Sequence, residues 1–236
     1  MMRALIVDDE IYSREEIAAL LDETGEFTVV GKCANALEAI RAINKEKPDV
    51  LFLDVQMPVI NGFELLGMID EKVMPGVVFV TAYDEYALKA FDENALDYLL
   101  KPVEKERLSK TVEKLKKRFT EGVRPIFAGS DIKQIPCIHS SRIKLINTSE
   151  VEYIRSGETG VYVVCHHGNF YTDLTLQVLE NKTDLVRCHK QFLINIGRVD
   201  EILLRENGAA EIKTKSGRLV PVSRRYLKIL RGKLLF

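Results

Sequence analysis

The sequence predicts a doubly wound α/β domain with five parallel strands, followed by a mostly β domain. Short continuous apolar runs alternate with amphipathic stretches through the first half. Short strand-like segments divided by turn residues fill the second half. Between them, residues 120–135 show no clear period and carry Gly122, Pro125 and Gly129, with Pro136 just beyond. That stretch reads as a linker between domains at 1–119 and 136–236.

Taken in order, the runs Ala4–Val7, Phe27–Val30, Val50–Leu53, Val77–Val80 and Leu96–Leu100 read as strands. Continuous apolar runs of that length fit parallel strands buried on both faces. After the first strand, Ser13 with Glu16 three residues on has the pattern of a capping box. Ile17, Leu20 and Leu21 then recur at helical spacing. Leu108, Val112, Leu115 and Phe119 mark one apolar face of a final helix.

Beyond the linker, nine segments between Ser141 and Pro221 are short and rich in Val, Ile, Leu and Tyr. His167-Gly168, Asn207-Gly208 and Ser216-Gly217 between them read as hairpin turns. Helical segments are expected over Leu174–Glu180 and Arg224–Leu235.

Composition excludes several classes. Of 236 residues, 46% are hydrophobic and 29% charged, which are globular values. No apolar run approaches the roughly 20 residues that span a membrane. The N-terminus lacks the pattern of a signal peptide. Cys33, Cys137, Cys165 and Cys188 are too scattered for a disulfide framework. A soluble, cytoplasmic protein with reduced thiols is expected. The net charge of −1 hides an asymmetry. Residues 1–120 hold 16 Lys+Arg against 23 Asp+Glu, a net of −7, and residues 121–236 hold 18 against 12, a net of +6. Most mildly basic domains bind no nucleic acid, so charge alone assigns no partner.

In doubly wound sheets, function gathers at the carboxyl ends of the strands. Asp8, Asp9 and Glu10 follow the first strand, Asp54 the third, Thr81 the fourth and Lys101 the fifth. Three aspartates brought that close need compensation. A hard divalent cation such as Mg²⁺ supplies it. A lone carboxylate in such a cluster can also attack a phosphoryl group, with Lys101 and the Thr81 hydroxyl on the phosphoryl oxygens.

These motifs together resemble the receiver domain of two-component response regulators. The resemblance rests on Val7-Asp8-Asp9-Glu10, Phe52-Leu53-Asp54-Val55-Gln56-Met57-Pro58, Asn61-Gly62, Val80-Thr81-Ala82 and Asp97-Tyr98-Leu99-Leu100-Lys101-Pro102. It implies that Asp54 is the phosphoacceptor. Asp8, Asp9 and Asp54 would hold Mg²⁺ together with the Gln56 backbone carbonyl. Lys101 would pair with the phosphoryl group, Thr81 and Tyr98 would form the switch pair, and Pro102 would occupy the family's cis-proline site.

The second half has no Gly-rich phosphate loop, zinc-finger spacing or helix-turn-helix pattern. Cys165-His166-His167 and Cys188-His189 lack the spacing of a zinc site. Nor does it hold an acid–base constellation, so no separate enzyme activity is expected. Val151-Glu152-Tyr153-Ile154, Leu185 to Asn195, and Val220-Pro221-Val222-Ser223-Arg224-Arg225-Tyr226-Leu227 together resemble the LytTR DNA-binding domain. The resemblance implies that Ser156, Glu158, Thr159, Lys190, Gln191, Arg224 and Arg225 face double-stranded DNA. Arg225 is the residue expected on a base. Several relatives place a His in the loop that here holds Glu158.

Over its whole length the chain resembles a LytTR-family response regulator. That implies a membrane-bound LytS-type histidine kinase as partner and a homodimer on activation, paired through about residues 85–119. The alternative is a receiver with a protein- or RNA-binding output, which the basic groups at 187–190 and 224–225 argue against.

Overall fold

A computed structural model describes residues 1–83, 95–121, 131–139, 142–204 and 210–234. The chain forms two units, Met1–Ser130 and Asp131–Phe236.

The first unit is built on β1 (Met2–Val7), β2 (Phe27–Cys33), β3 (Val50–Leu53), β4 (Gly76–Thr81) and β5 (Asp97–Leu100), in the order β2-β1-β3-β4-β5. All described neighbours pair in parallel. Every residue of β3 and β4 is buried, as is Ala4–Val7 of β1, so the apolar runs are continuous. Among the described residues, four helices accompany them: α1 (Ile11–Thr24), α2 (Ala36–Glu46), α3 (Gly62–Gly67) and α4 (Lys105–Glu121). Ile17 and Leu21 of α1 and Leu108, Val112 and Leu115 of α4 pack with Ile6, Phe52 and Val80 in one core.

Two helix details differ from expectation. Ser13 is no cap: α1 begins at Ile11, Glu10 holds the cap position without a side-chain bond, and Ser13 is buried inside the helix. Phe119, read as part of the buried α4 face, is 43% exposed, because the core stops at Leu115. A true capping box occurs at α3, where Asn61 Oδ1 accepts from the Glu64 amide and Glu64 Oε2 accepts from the Asn61 amide, each at 2.9 Å.

The second unit holds β6 (Gln134–His139), β7 (Arg142–Asn147), β8 (Val151–Gly157), β9 (Gly160–Cys165), β10 (Gly168–Thr172), β11 (Val186–His189) and β12 (Phe192–Ile194) in one sheet. Its order is β11-β12-β8-β9-β10-β6-β7. A second sheet joins β13 (Val199–Leu204), β14 (Ala210–Thr214) and β15 (Leu219–Val222). Helices α5 (Leu176–Lys182) and α6 (Arg224–Leu234) complete the unit. The turns at His167-Gly168 and Ser216-Gly217 lie where the sequence places them, whereas Asn207-Gly208 lies outside the described residues.

Strand β6 is not legible in the sequence because Pro136 argues against a ladder position. β6 pairs with β7 along its whole length, with Pro136 opposite Leu145, but with β10 at one position only, Ile138 opposite Tyr171, so the missing Pro136 amide falls outside the β10 pairing. The Thr172 hydroxyl donates to the Pro136 carbonyl at 2.8 Å. Both ends of the expected linker also carry secondary structure, since α4 runs through Glu121 and β6 opens at Gln134.

The two sheets meet on a buried acid. Glu152 Oε2, on β8, accepts from Ser216 Oγ at 2.6 Å, Thr214 Oγ1 at 3.2 Å and Arg218 Nη1 at 3.3 Å. The same Arg218 nitrogen donates to the Cys165 carbonyl at 2.7 Å. A buried carboxylate is tolerated when paired and hydrogen-bonded in this way.

Candidate functional site

The carboxyl ends of β1 and β3 lie side by side. Val7 pairs with Leu53, and the Asp54 amide donates to the Val7 carbonyl at 2.8 Å. The residues that follow therefore converge. One carboxylate oxygen from each of Asp8, Asp9 and Asp54 lies within 4.8 Å of the other two. Asp8 and Asp54 are buried and Asp9 is exposed.

The buried carboxylates have fixed partners. Asp8 Oδ1 accepts from the Glu10 amide at 2.9 Å, and Asp8 Oδ2 from the Ser13 hydroxyl at 2.5 Å. Asp54 Oδ1 accepts from the Gln56 amide at 3.2 Å. The Lys101 ammonium bridges the pair, 2.7 Å from Asp8 Oδ2 and 2.8 Å from Asp54 Oδ2. Burial alone would push this lysine's pKa down, but hydrogen bonds and charge from Asp54 and Asp8 outweigh burial and hold it above the ordinary value. Pairing of β5 with β4 sets Lys101 in place, since its amide donates to the Thr81 carbonyl at 2.9 Å. The Lys101–Pro102 peptide is cis.

Thr81 ends β4, and its buried hydroxyl has no hydrogen-bond partner among the described residues. Tyr98 stands opposite Phe79 on β5, half-buried, with its hydroxyl on the Tyr83 carbonyl. Asp8, Asp9 and Asp54 offer carboxylate oxygens, and Asp9 is exposed to water. That set suits a hard cation that keeps several waters, as Mg²⁺ does.

Sequence reasoning missed three features here. Ser13 shares the buried face of α1 with Ile17 and Leu21, and this spacing of four was the signal that it points inward. Gly62 follows Asp54 in space: a Cβ there would lie 2.5 Å from the Asp54 carbonyl oxygen. Asp97 is a half-buried acid on β5 that accepts from Arg107, Thr111 and Lys114 of α4 and from the Tyr98 amide. Burial would raise its pKa, but those hydrogen bonds win and hold the carboxyl well below the usual carboxylate range.

The second unit gathers its expected nucleic-acid residues on joined segments. Ser156 lies next to the end of β8, and Glu158 and Thr159 are exposed in the turn to β9. Lys190 and Gln191 are exposed in the turn between β11 and β12. The Ser156 amide donates to the Gln191 carbonyl at 2.8 Å, which locks the two turns together. A bulge between Arg187 and His189 interrupts the β11–β12 ladder, and the Cys188 carbonyl accepts from the Ser223 amide at 3.0 Å. That bond ties the start of α6, with Arg224 and Arg225, to the same edge. The Arg225 guanidinium lies 5.6 Å from the Tyr226 ring.

Cys188 itself is buried, and burial pushes its thiol up to about 12 despite the neighbouring Arg187. The same burial raises Cys33 and Cys137 to about 12 and Cys165 to about 11. No helix among the described residues is long and apolar enough to cross a membrane.

Comparison with known proteins agrees with this geometry. The family model of the response regulator receiver domain matches residues 4–113, and that of the LytTr DNA-binding domain matches residues 141–235. An uncharacterized response regulatory protein of Vibrio vulnificus is 52% identical over 238 residues, covering 99% of this chain and 98% of its own. One from Vibrio cholerae is 51% identical over 236 residues, covering both chains completely. The transcriptional regulatory protein BtsR of Escherichia coli is 47% identical over 234 residues, covering 98% of each chain. The chain belongs to the response regulators that join a receiver domain to a LytTR DNA-binding domain.

Proposed function

We propose that the chain is a phosphorylation-switched transcription regulator, with Asp54 as phosphoacceptor and the basic edge of the second unit as its DNA-reading surface. The observation that carries this reading is the convergence of Asp8, Asp9 and Asp54 on one ammonium, Lys101. Asp54 attacks the phosphorus of a phosphohistidine on a kinase. The P–N bond breaks as the P–O bond forms, and the departing imidazole takes up a proton. Asp8, Asp9, Asp54 and the Gln56 backbone carbonyl would hold Mg²⁺, which when bound neutralises charge on the phosphoryl oxygens. Lys101 leaves its bridge between the carboxylates and pairs with the phosphoryl group. The unpartnered Thr81 hydroxyl supplies a further donor, and Tyr98 moves with it.

The switched face spans about residues 85–119, of which 85–94 lie outside the described residues. Pairing through it makes a homodimer that sets two LytTR domains, over about 136–236, on paired direct repeats of double-stranded DNA. Ser156, Glu158, Thr159, Lys190, Gln191, Arg224 and Arg225 face the duplex, with Arg225 on a base. The kinase is a membrane-bound LytS-type enzyme, and the regulator works in the cytoplasm.

Acetyl phosphate with Mg²⁺ tests the first step. Intact-mass measurement should find one labile phosphoryl group on the wild type and none on Asp54→Ala. Equal uptake by both would reject Asp54 as acceptor.

A further inference from the structure

Arg187 belongs to the basic run 187–190, yet its guanidinium is committed within the protein. Nε and Nη2 donate to Glu180 Oε2 at 2.9 and 2.6 Å, and Nη1 donates to the Lys190 carbonyl at 3.1 Å. Only 11% of the side chain is exposed. All three groups of the fork are therefore engaged, two on an acid of α5 and one on the backbone of the turn that carries Lys190 and Gln191. A guanidinium is suited to this, being planar, always charged and able to hold two partners in fixed directions.

The rest of that turn has few tethers. The Gln191 amide donates to His189 Nδ1 at 3.3 Å, and the Gln191 carbonyl accepts from Ser156 at 2.8 Å. The ladder beneath it is broken by the bulge between Arg187 and His189. A bulge disrupts the ladder and bends its strand, so contacts outside the ladder fix the turn. The Ser223 amide on the Cys188 carbonyl is one, and Arg187, braced against the helix by Glu180, is the one that reaches Lys190 itself.

We infer that Arg187 is a positioning residue for DNA recognition: anchored by Glu180, it presents the Lys190–Gln191 turn to the duplex without itself binding phosphate. The inference rests on the DNA-reading surface proposed above and deepens it. A cation that neutralises a phosphate releases counterions, so its loss lowers the slope of log affinity against log salt by about 1. A positioning residue acts through the turn it holds, so its loss lowers the slope no further once Lys190 is gone.

The test uses the full chain and a duplex that the wild type enriches from a random-sequence pool, with binding read by fluorescence anisotropy over a range of KCl. Arg187→Gln should bind about tenfold more weakly. Lys190→Gln, the reference for a phosphate contact, should reduce the slope by about 1, and the double variant should keep the slope of Lys190→Gln. Glu180→Gln keeps the guanidinium and loosens only its brace. It should weaken binding about threefold, and it covers the case in which Arg187→Gln does not fold. A slope reduced by about 1 more in the double variant than in Lys190→Gln would overturn the inference, as would unchanged affinity in Glu180→Gln. A wild type that enriches no duplex would overturn the DNA-reading surface itself, a separate and recognisable failure.

Discussion

The Lys101 ammonium lies 2.8 Å from Asp54 Oδ2, joining residues 47 positions apart at the ends of β5 and β3. It also touches Asp8 Oδ2 at 2.7 Å, so one cation balances two buried acids. Lys101→Met should leave those acids uncompensated and cost about 3 kcal/mol in metal-free buffer. Added Mg²⁺ should restore more stability to the variant than it adds to the wild type. Thermal melts with and without Mg²⁺ check this, and equal Mg²⁺ effects in both proteins would contradict it.

Asp97 is tied to three side chains of α4, and its folded-state pKa lies below the ordinary carboxylate value of 3.8. A lowered folded pKa means the folded protein holds the proton less tightly than the unfolded chain. Its stability contribution is therefore full above about pH 5 and is lost as pH falls below the ordinary carboxylate value toward the lowered one. Asp97→Asn should be less stable than the wild type at pH 7, and the gap should narrow steadily between pH 5 and 2. Urea unfolding across that range checks it. A gap independent of pH would show that the ion pairs do not stabilise this strand–helix contact.

Gly62 sits where a side chain has no room, with a Cβ placed 2.5 Å from the Asp54 carbonyl oxygen and 3.2 Å from Leu53 and Val55. Its amide donates to the Val55 carbonyl at 2.9 Å, which holds the loop against the site. Gly62→Ala should cost about 2 kcal/mol and slow phosphoryl uptake, because the displaced backbone is that of Asp54 itself. Denaturant unfolding and the rate of labelling by acetyl phosphate read the two effects.

Arg225 begins α6 on the edge shared with Lys190 and Gln191. Arg225→Ala should weaken specific DNA binding by about 1–3 kcal/mol and relax preference at one base position. Selection from a random duplex pool with each protein checks it. An unchanged preference would move the base contact elsewhere on that edge.

The receiver was legible because its chemistry sits at strand ends and its strands are unbroken apolar runs. Asp8, Asp54, Thr81 and Lys101 could be placed before any coordinates. Ser13 was misread because a Ser three residues before a Glu has the form of a cap. Only the tertiary placement of Asp8, to which it donates at 2.5 Å, decides against that form. Strand β6 was hidden by Pro136, which a sequence pattern treats as a strand breaker. β6 pairs along its length with β7, and Pro136 lies away from the one position where it pairs with β10, so its missing amide is tolerated there. Arg187 and Lys190 look alike in sequence, as cations of one short basic run. Their difference lies in Glu180, an acid on another element that occupies Arg187. Long-range partners of that kind leave no periodic signal.

On the proposed function, charge placed on Asp54 controls which DNA the second unit holds. Sequencing of genomic fragments retained by the protein with Mg²⁺ and beryllofluoride, a phosphoryl mimic, tests it in wild type and Asp54→Ala side by side. Paired direct repeats should be enriched by the wild type and absent from the variant. The same fragments retained by both proteins, or no enrichment by the wild type over its unactivated form, would contradict it.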